Sequence, residues 1–260
     1  MILIEVNAIR RSGHHAFINW LIANLNETKY EENLCKYKAN RIDGKYNILW
    51  VNEGEQLIRE NIDIIDRHRD NSSIDITIIS YEVLTNETDM NPNYTILDKT
   101  LRKRWDVTEH IHIPFVRDYY NNVASLMKLY PYIEIEGDDA YNVMYHDMYT
   151  AQLKHVLDGV RGVVYDKWVS DKEYANLTCI KLLGKPNMFN PLELGGTPSS
   201  WNMPSGLSYD KNEELKLDSL LNRYKTATFP KWMMDKVNQD EVLSELIKRA
   251  GFDKQDIKVK

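Results

Sequence analysis

The stretch Ile2-Leu3-Ile4-Glu5-Val6-Asn7-Ala8-Ile9-Arg10-Arg11-Ser12-Gly13-His14-His15-Ala16-Phe17 decides how the rest of the chain reads. Residues 2–9 are a mostly apolar run, suited to a strand buried on both faces of a sheet. The polar turn at 10–13 follows. Residues 14–25 then place Phe17, Trp20, Leu21 and Leu25 at helical spacing. A turn from a parallel strand into a helix leaves backbone N–H groups unpaired and aims the positive end of the helix dipole at the turn. That is the beginning of an anion site. Gly13 lets the backbone approach an oxyanion closely, and Arg10 and Arg11 add forked cationic donors suited to phosphate or sulfate. The Gly-x-x-x-x-Gly-Lys-Ser/Thr pattern of a Walker A loop is absent. An Arg-Ser-Gly turn also occurs as an ordinary solvated turn, so the motif alone fixes no function.

Working outward, strands alternate with helices. Residues 46–52 read as a second strand, 56–67 as a helix, 74–80 as a third strand and 111–116 as a fourth, running into Arg117-Asp118. A helix over 119–130 follows, then one over 140–157, a fifth strand over 162–169 and a helix over 171–183. The last has clear punctuation: Ser170 and Glu173 form a capping-box pattern, Gly184 suits the position after the helix, and Pro186 follows. Residues 187–208 are a long loop rich in Gly, Pro, Ser and Asn, and loops of that length are commonly functional. Helices over 213–224, 230–237 and 241–250 end the chain. The alternation predicts a parallel sheet covered on both faces. With no internal repeat and no convincing boundary, residues 1–260 read as a single domain.

The bulk composition narrows the classes. The 260 residues are 43% hydrophobic and 28% charged, which is ordinary for a globular chain. A net charge of −6 argues against global attraction to nucleic acid or an anionic membrane. Cys35 and Cys179 are too few and too distant for a disulfide framework, and no Cys/His spacing suits zinc. They are expected to be free thiols in a reducing, cytoplasmic setting. The apolar start carries Glu5 and lacks a basic leader, so it reads as a core strand rather than a signal peptide. No run approaches the ~18 apolar residues of a membrane span.

Two further motifs carry chemistry. Arg117 stands at a strand end and Ser125 lies eight residues on, about two helical turns into the next helix. Together they can hold one phosphate, although for this motif alone an internal ion pair of Arg117 with Asp118 or a neighbouring acid, and a small packing role for Ser125, is the favoured explanation. Val163-Val164-Tyr165-Asp166-Lys167-Trp168 leads to a helix ending in Leu182-Leu183-Gly184, which by itself is an ordinary strand–turn–helix.

In this order the motifs resemble the sulfotransferase family that uses 3′-phosphoadenosine 5′-phosphosulfate (PAPS). The Arg11-Ser12-Gly13 turn is similar to the family's loop for the 5′-phosphosulfate. Arg117 and Ser125 match its 3′-phosphate motif, and the segment from Tyr165 to Gly184 resembles its Tyr-Glu-x-Leu segment and the helix ending in Leu-Gly. Gly195-Gly196-Thr197-Pro198-Ser199-Ser200-Trp201 is similar to the late loop that closes over the nucleotide. The resemblance covers roughly residues 2 to 202. It implies a three-layer α/β/α fold with a central parallel sheet, P-loop nucleotide-kinase-like. It also implies PAPS as donor co-substrate, no metal, and a nucleotide site built from Arg10, Arg11, Ser12, Gly13, His14, His15, Arg117, Ser125, Tyr165, Ser199 and Ser200.

There are two departures. His14 and His15 stand where the family has Ser or Thr, so ring N–H groups would replace hydroxyl donors or one ring would serve in acid–base chemistry. Tyr119 follows Arg117-Asp118 where proline is common. Sulfuryl transfer needs a base for the acceptor proton and cations at the leaving oxygen. The resemblance assigns these to Glu82, just past the 74–80 strand, and to Arg11, with His14 as a further catalytic candidate. His110 and His112 are rival bases, although a histidine inside a buried strand is more often a hydrogen-bonded core residue. The acceptor, a carbohydrate or small molecule, is not specified, and Trp168, Trp201 and Trp232 can either stack on a sugar or join the core. A P-loop-like kinase, which Mg²⁺ dependence would reveal, and a non-catalytic nucleotide- or carbohydrate-binding module are the alternatives.

Overall fold

Strand β1 (Ile2–Ile9) forms the middle of the sheet, as its unbroken burial requires. The structure is a computed structural model and describes residues 2–9, 11–26, 41–43, 46–52, 76–83, 103, 105–129, 140–191, 217–254 and 256–260. The other strands of the sheet are β2 (Arg41–Asp43), β3 (Tyr46–Asn52), β4 (Ile76–Val83), β5 (Glu109–Val116) and β6 (Val163–Val164). Their order is β2-β3-β4-β1-β5-β6. The four long strands β3, β4, β1 and β5 are parallel, the short β6 extends them in parallel, and β2 is antiparallel to β3 at the edge. Counted along the chain, the parallel strands are arranged second, third, first, fourth, fifth. This differs from the orders of both dinucleotide-binding and flavodoxin-like sheets.

Strand alternation sends side chains to two faces, and each face has its own core. On one, Ile4, Val6 and Ala8 of β1 and Ile111, Ile113 and Phe115 of β5 meet Phe17, Trp20 and Leu21 of α1 (His14–Asn26). Two more helices, α4 (Tyr165–Ser170) and α5 (Lys172–Leu183), complete that face through Trp168, Ala175, Cys179 and Leu182. On the other, Ile9 and Val116 meet α2 (Tyr119–Leu129) and α3 (Ala140–Asp158). The C-terminal helices α7 (Lys231–Gln239) and α8 (Glu241–Ala250) cover α3 with Met233, Val237, Leu243 and Leu246. Between α5 and α7 come the short helix α6 (Leu217–Leu221), a 3₁₀ turn (Arg223–Thr226) and strand β7 (Thr228–Phe229), with Tyr224 and Phe229 buried in this second core. A last strand, β8 (Lys258–Val259), pairs with β7. No helix among the described residues is long and apolar enough to cross a membrane.

Several local expectations are corrected. The strand expected over 162–169 is only Val163–Val164, and helix α4 takes over at Tyr165. The buried residues Tyr165, Trp168 and Val169 have i, i+3, i+4 spacing, so this apolar run serves a helix. Trp168 is therefore core, packed against Phe17, Trp20 and Tyr165, and presents no stacking face to a sugar. The cap of α5 is Asp171, which accepts from the N–H groups of Glu173 and Tyr174, whereas the Ser170 hydroxyl donates to Asp166 O. Gly184 does close α5, at φ 69°. Strand β4 begins two residues later than expected and runs through Glu82 to Val83. Of the helix expected over 213–224, the described part is α6 and the 3₁₀ turn. The helix expected over 56–67 lies outside the described residues.

The α3 face of the sheet carries an unusual polar layer. Glu5 is fully buried on the central strand and accepts from His110 Nε2 at 2.5 Å. His112 Nε2 lies 2.8 Å from Asn7 Nδ2, with the His155 ring 5.6 Å away. The Gln152 amide donates to Asn7 O at 2.8 Å and to Phe115 O at 3.4 Å, tying α3 to the paired strands β1 and β5. Burial, helped by His155 and His110 against the pull of Glu5, lowers the His112 pKa to about 4. In the unfolded chain His112 titrates near its ordinary 6.5. The unfolded state then binds the extra proton between these values, and stability falls as pH drops through that window. The expected slope from this residue is at most about 1.4 kcal/mol per pH unit. Urea unfolding between pH 7 and pH 4 should show a shallower acid loss for His112→Gln than for the wild type.

Candidate functional site

The turn after β1 is held by Ser12 N–H donating to Ile9 O at 3.1 Å, and α1 starts with Ala16 N–H donating to Gly13 O at 3.1 Å. Arg11 and Gly13 both take positive φ, 68° and 90°. For a non-glycine residue the left-handed region costs on the order of 1 kcal/mol, and such residues cluster at binding sites. Gly13 is required twice over, because a Cβ there would lie 2.5 Å from the Tyr165 ring. Ser12 and His14 are buried, with Ser12 Oγ 3.3 Å from His14 Nδ1. His15 stands edge-on to His14, ring centroids 4.4 Å apart.

The second wall comes from the end of β5 and from α2. Successive connections leave β1 toward the β3 edge and β5 toward the β6 edge, so the C-terminal ends of these neighbouring strands frame a crevice. Arg11 Nε crosses it and donates to Ser125 Oγ at 3.2 Å. A third cation arrives from the 3₁₀ turn: Arg223 Nη1 donates to the same hydroxyl at 3.3 Å. Arg117 is 2% exposed, its guanidinium 4.9 Å from the Tyr165 ring centre. Its Nη2 donates to Leu220 O, and its Nε is buried without a hydrogen-bond partner.

Electrostatics make this a site under tension. Burial, then the neighbouring Arg117, then Arg11, pull the Arg223 guanidinium down to about 8 against the Tyr165 contribution, so it is still charged at neutral pH. Lys128 is lowered by burial and by Arg223 and Arg11. Behind Arg117, Asp118 N–H donates to Asp166 Oδ2 at 2.6 Å. Burial and then Asp166 push the Asp118 carboxyl up to about 7, against the pull of Lys254. Asp166 is raised by burial, opposed by Arg117. Converging guanidiniums around one hydroxyl fit a tetrahedral oxyanion, and a dianion would relieve their repulsion.

The expected residues fall into three groups. Arg11, Ser12, Gly13, His14, Arg117 and Ser125 come together at the crevice, with His15 beside His14. Tyr165 backs the site, packed between Gly13 and Arg117. His110 and His112 lie elsewhere, bonded to Glu5 and Asn7 in the polar layer on the α3 face. The backbone of Glu82 pairs with Ala8 of β1 and Asn52 of β3, near the C-terminal end of β4, and its side chain lies outside the described residues. Arg10, Ser199, Ser200 and the rest of 195–201 also lie outside them. Arg223 was missed by sequence reasoning. It stands 98 residues from Ser125, and Arg223-Tyr224-Lys225 matches no anion motif.

No family model, curated protein sequence or solved structure matches the chain.

The packing at Gly13 gives a direct test. Gly13→Ala combines an unfavourable φ with a clash on a buried aromatic ring, and should cost about 2–4 kcal/mol in denaturant unfolding. A loss below about 0.5 kcal/mol would show that the turn and Tyr165 are not packed in this way.

Proposed function

We propose that this chain is a sulfotransferase that moves a sulfuryl group from PAPS to an acceptor hydroxyl or amine, on a P-loop nucleotide-kinase-like α/β/α fold. The observation that carries the reading is the meeting of Arg11 and Arg223 on Ser125. It joins the turn after β1 to the Arg117/Ser125 motif at one crevice. The strand order, distinct from dinucleotide-binding and flavodoxin-like sheets, is compatible with the fold.

The residues present fit such a donor. The buried Nε of Arg117 is a donor awaiting an acceptor, and the clustered cations favour a dianion over a neutral ligand. Arg117, Ser125 and Arg223 would hold the 3′-phosphate. The Arg11–Gly13 turn and His14 would hold the 5′ end, with the start of α1 adding its dipole. PAPS supplies an activated sulfuryl group with a phosphate leaving group. Arg11 counters charge developing on the leaving oxygen. Glu82, level with Ala8 in the register, takes the acceptor proton. Tyr165 keeps Arg117 stacked and Gly13 tight.

Two measurements test this. Adenosine 3′,5′-bisphosphate should raise the melting temperature far more than adenosine 5′-monophosphate, because Arg117, Ser125 and Arg223 have no ligand without a 3′-phosphate. At about a hundredfold over its dissociation constant, the bisphosphate adds roughly 2.7 kcal/mol of stability. Equal shifts would remove the assignment. Once a panel of carbohydrate and small-molecule alcohols and amines yields an acceptor, Glu82→Gln should lower turnover about a hundredfold or more with little change in bisphosphate affinity. Near-normal turnover in that variant would move the base to another residue.

A further inference from the structure

The C-terminal tail approaches the arginine cluster from behind. Pairing of β8 with β7 fastens the chain end beside the 3₁₀ turn that carries Arg223. Lys260 N–H donates to Phe229 O at 3.0 Å and Lys231 N–H to Lys260 O at 2.9 Å, while Phe252 is buried against the α8 face. Between these anchors Lys254 turns inward. Its Nζ lies 3.4 Å from Asp118 Oδ2 and 5.4 Å from the centre of the Tyr224 ring.

Both partners of Lys254 are next to cationic residues of the site. Asp118 follows Arg117, and Tyr224 follows Arg223. Asp118 Oδ1 accepts from Asn121 N–H at 2.8 Å. The Asn121 side chain in turn accepts from Tyr224 N–H at 3.3 Å and donates to Leu221 O at 2.8 Å. One polar chain therefore runs from the corner between β5 and α2 to the 3₁₀ turn, and Lys254 closes it from the opposite side. The charged and titratable groups around the Asp118 carboxylate are Asp166 from α4, Tyr149 from α3, Tyr120 from α2, Lys254 from the tail, and Arg117 beside Asp166. Lys254 is the cation in this set that contacts Asp118 itself.

We propose that Lys254 is a positioning residue of the anion site: by bridging the Asp118 carboxylate and the Tyr224 ring, it holds Arg117 and Arg223 in register as one receptor for an oxyanion. The proposal rests on reading the arginine cluster as such a receptor. Lys254 does not itself reach Ser125. It acts through Asp118 and the 3₁₀ turn, and the tail thereby becomes part of the ligand site. A buried carboxylate deprived of its counter-ion takes up a proton and loosens its ties, so loss of Lys254 should be felt at the guanidiniums.

The test titrates sulfate, which keeps its double charge from pH 5 to 9, at matched ionic strength. The midpoint is read from thermal protection of the full chain. Lys254→Met should raise the sulfate midpoint by about fivefold or more, and Lys254→Arg should return it to within about twofold of the wild type. Should Lys254→Met not fold, Lys254→Gln takes its place under the same criterion. A second readout separates charge from packing. Sulfate binding to the wild type should weaken as Asp118 takes up a proton with falling pH, and loss of Lys254 should move that weakening to higher pH. A variant that melts lower without ligand, yet keeps its sulfate midpoint within twofold and its pH profile unmoved, overturns the proposal, because Lys254 then merely secures the tail. A wild type that binds sulfate but binds adenosine 3′,5′-bisphosphate no more tightly removes the nucleotide reading and leaves the Lys254 comparison in force. A wild type that binds neither overturns both.

Discussion

Guanidiniums from three distant parts of the chain are gathered at one crevice, and two of them donate to the single hydroxyl of Ser125. Like charges brought together out of water repel, and such a cluster persists only where surrounding structure fixes each member. Here Arg117 is fixed by the Tyr165 face and the Leu220 carbonyl, and Arg223 by its 3₁₀ turn. Arg11 is fixed by a turn in the left-handed region. Much of the architecture reads as support for this arrangement. The sheet sets the spacing between the ends of β1 and β5, Gly13 admits Tyr165, and the polar chain through Asn121 ties the 3₁₀ turn to α2.

The same logic explains why the titratable groups divide in two. On the α3 face, Glu5 bonds to His110 and Asn7 to His112, both histidines half-buried, and burial keeps His112 neutral at pH 7. At the strand ends, burial acts on Arg223, which keeps its charge at neutral pH, and on the Asp118–Asp166 pair, whose carboxyls are raised. Only the second group opens toward a crevice. The first is a buried polar network of the kind that fixes how a sheet and a helix fit together.

Legibility in the sequence followed the range of the interactions involved. The limits of β1 and β3, and the cap of α5 at Gly184, depend on neighbours a few residues away, and they were readable from apolar runs and turn chemistry. Tyr165–Ser170 was not, since a short apolar run with i, i+3, i+4 spacing suits strand and helix alike until a partner face selects one. In the same way Asp171 displaced Ser170 as the cap of α5, because Ser170 found Asp166 O within its own helix.

By itself the sequence determined a parallel α/β chain, with an arginine- and glycine-bearing turn after the first strand and a second basic motif at Arg117 and Ser125. Local pattern is enough for these, since backbone periodicity and the chemistry of a strand–turn–helix are set within about a dozen residues. Only the tertiary structure decided that the two motifs meet, that Arg223 joins them, and that Lys254 stands behind. Those contacts link residues roughly a hundred or more positions apart through strand order and the return of the C-terminal segment, and no local pattern encodes such a closure.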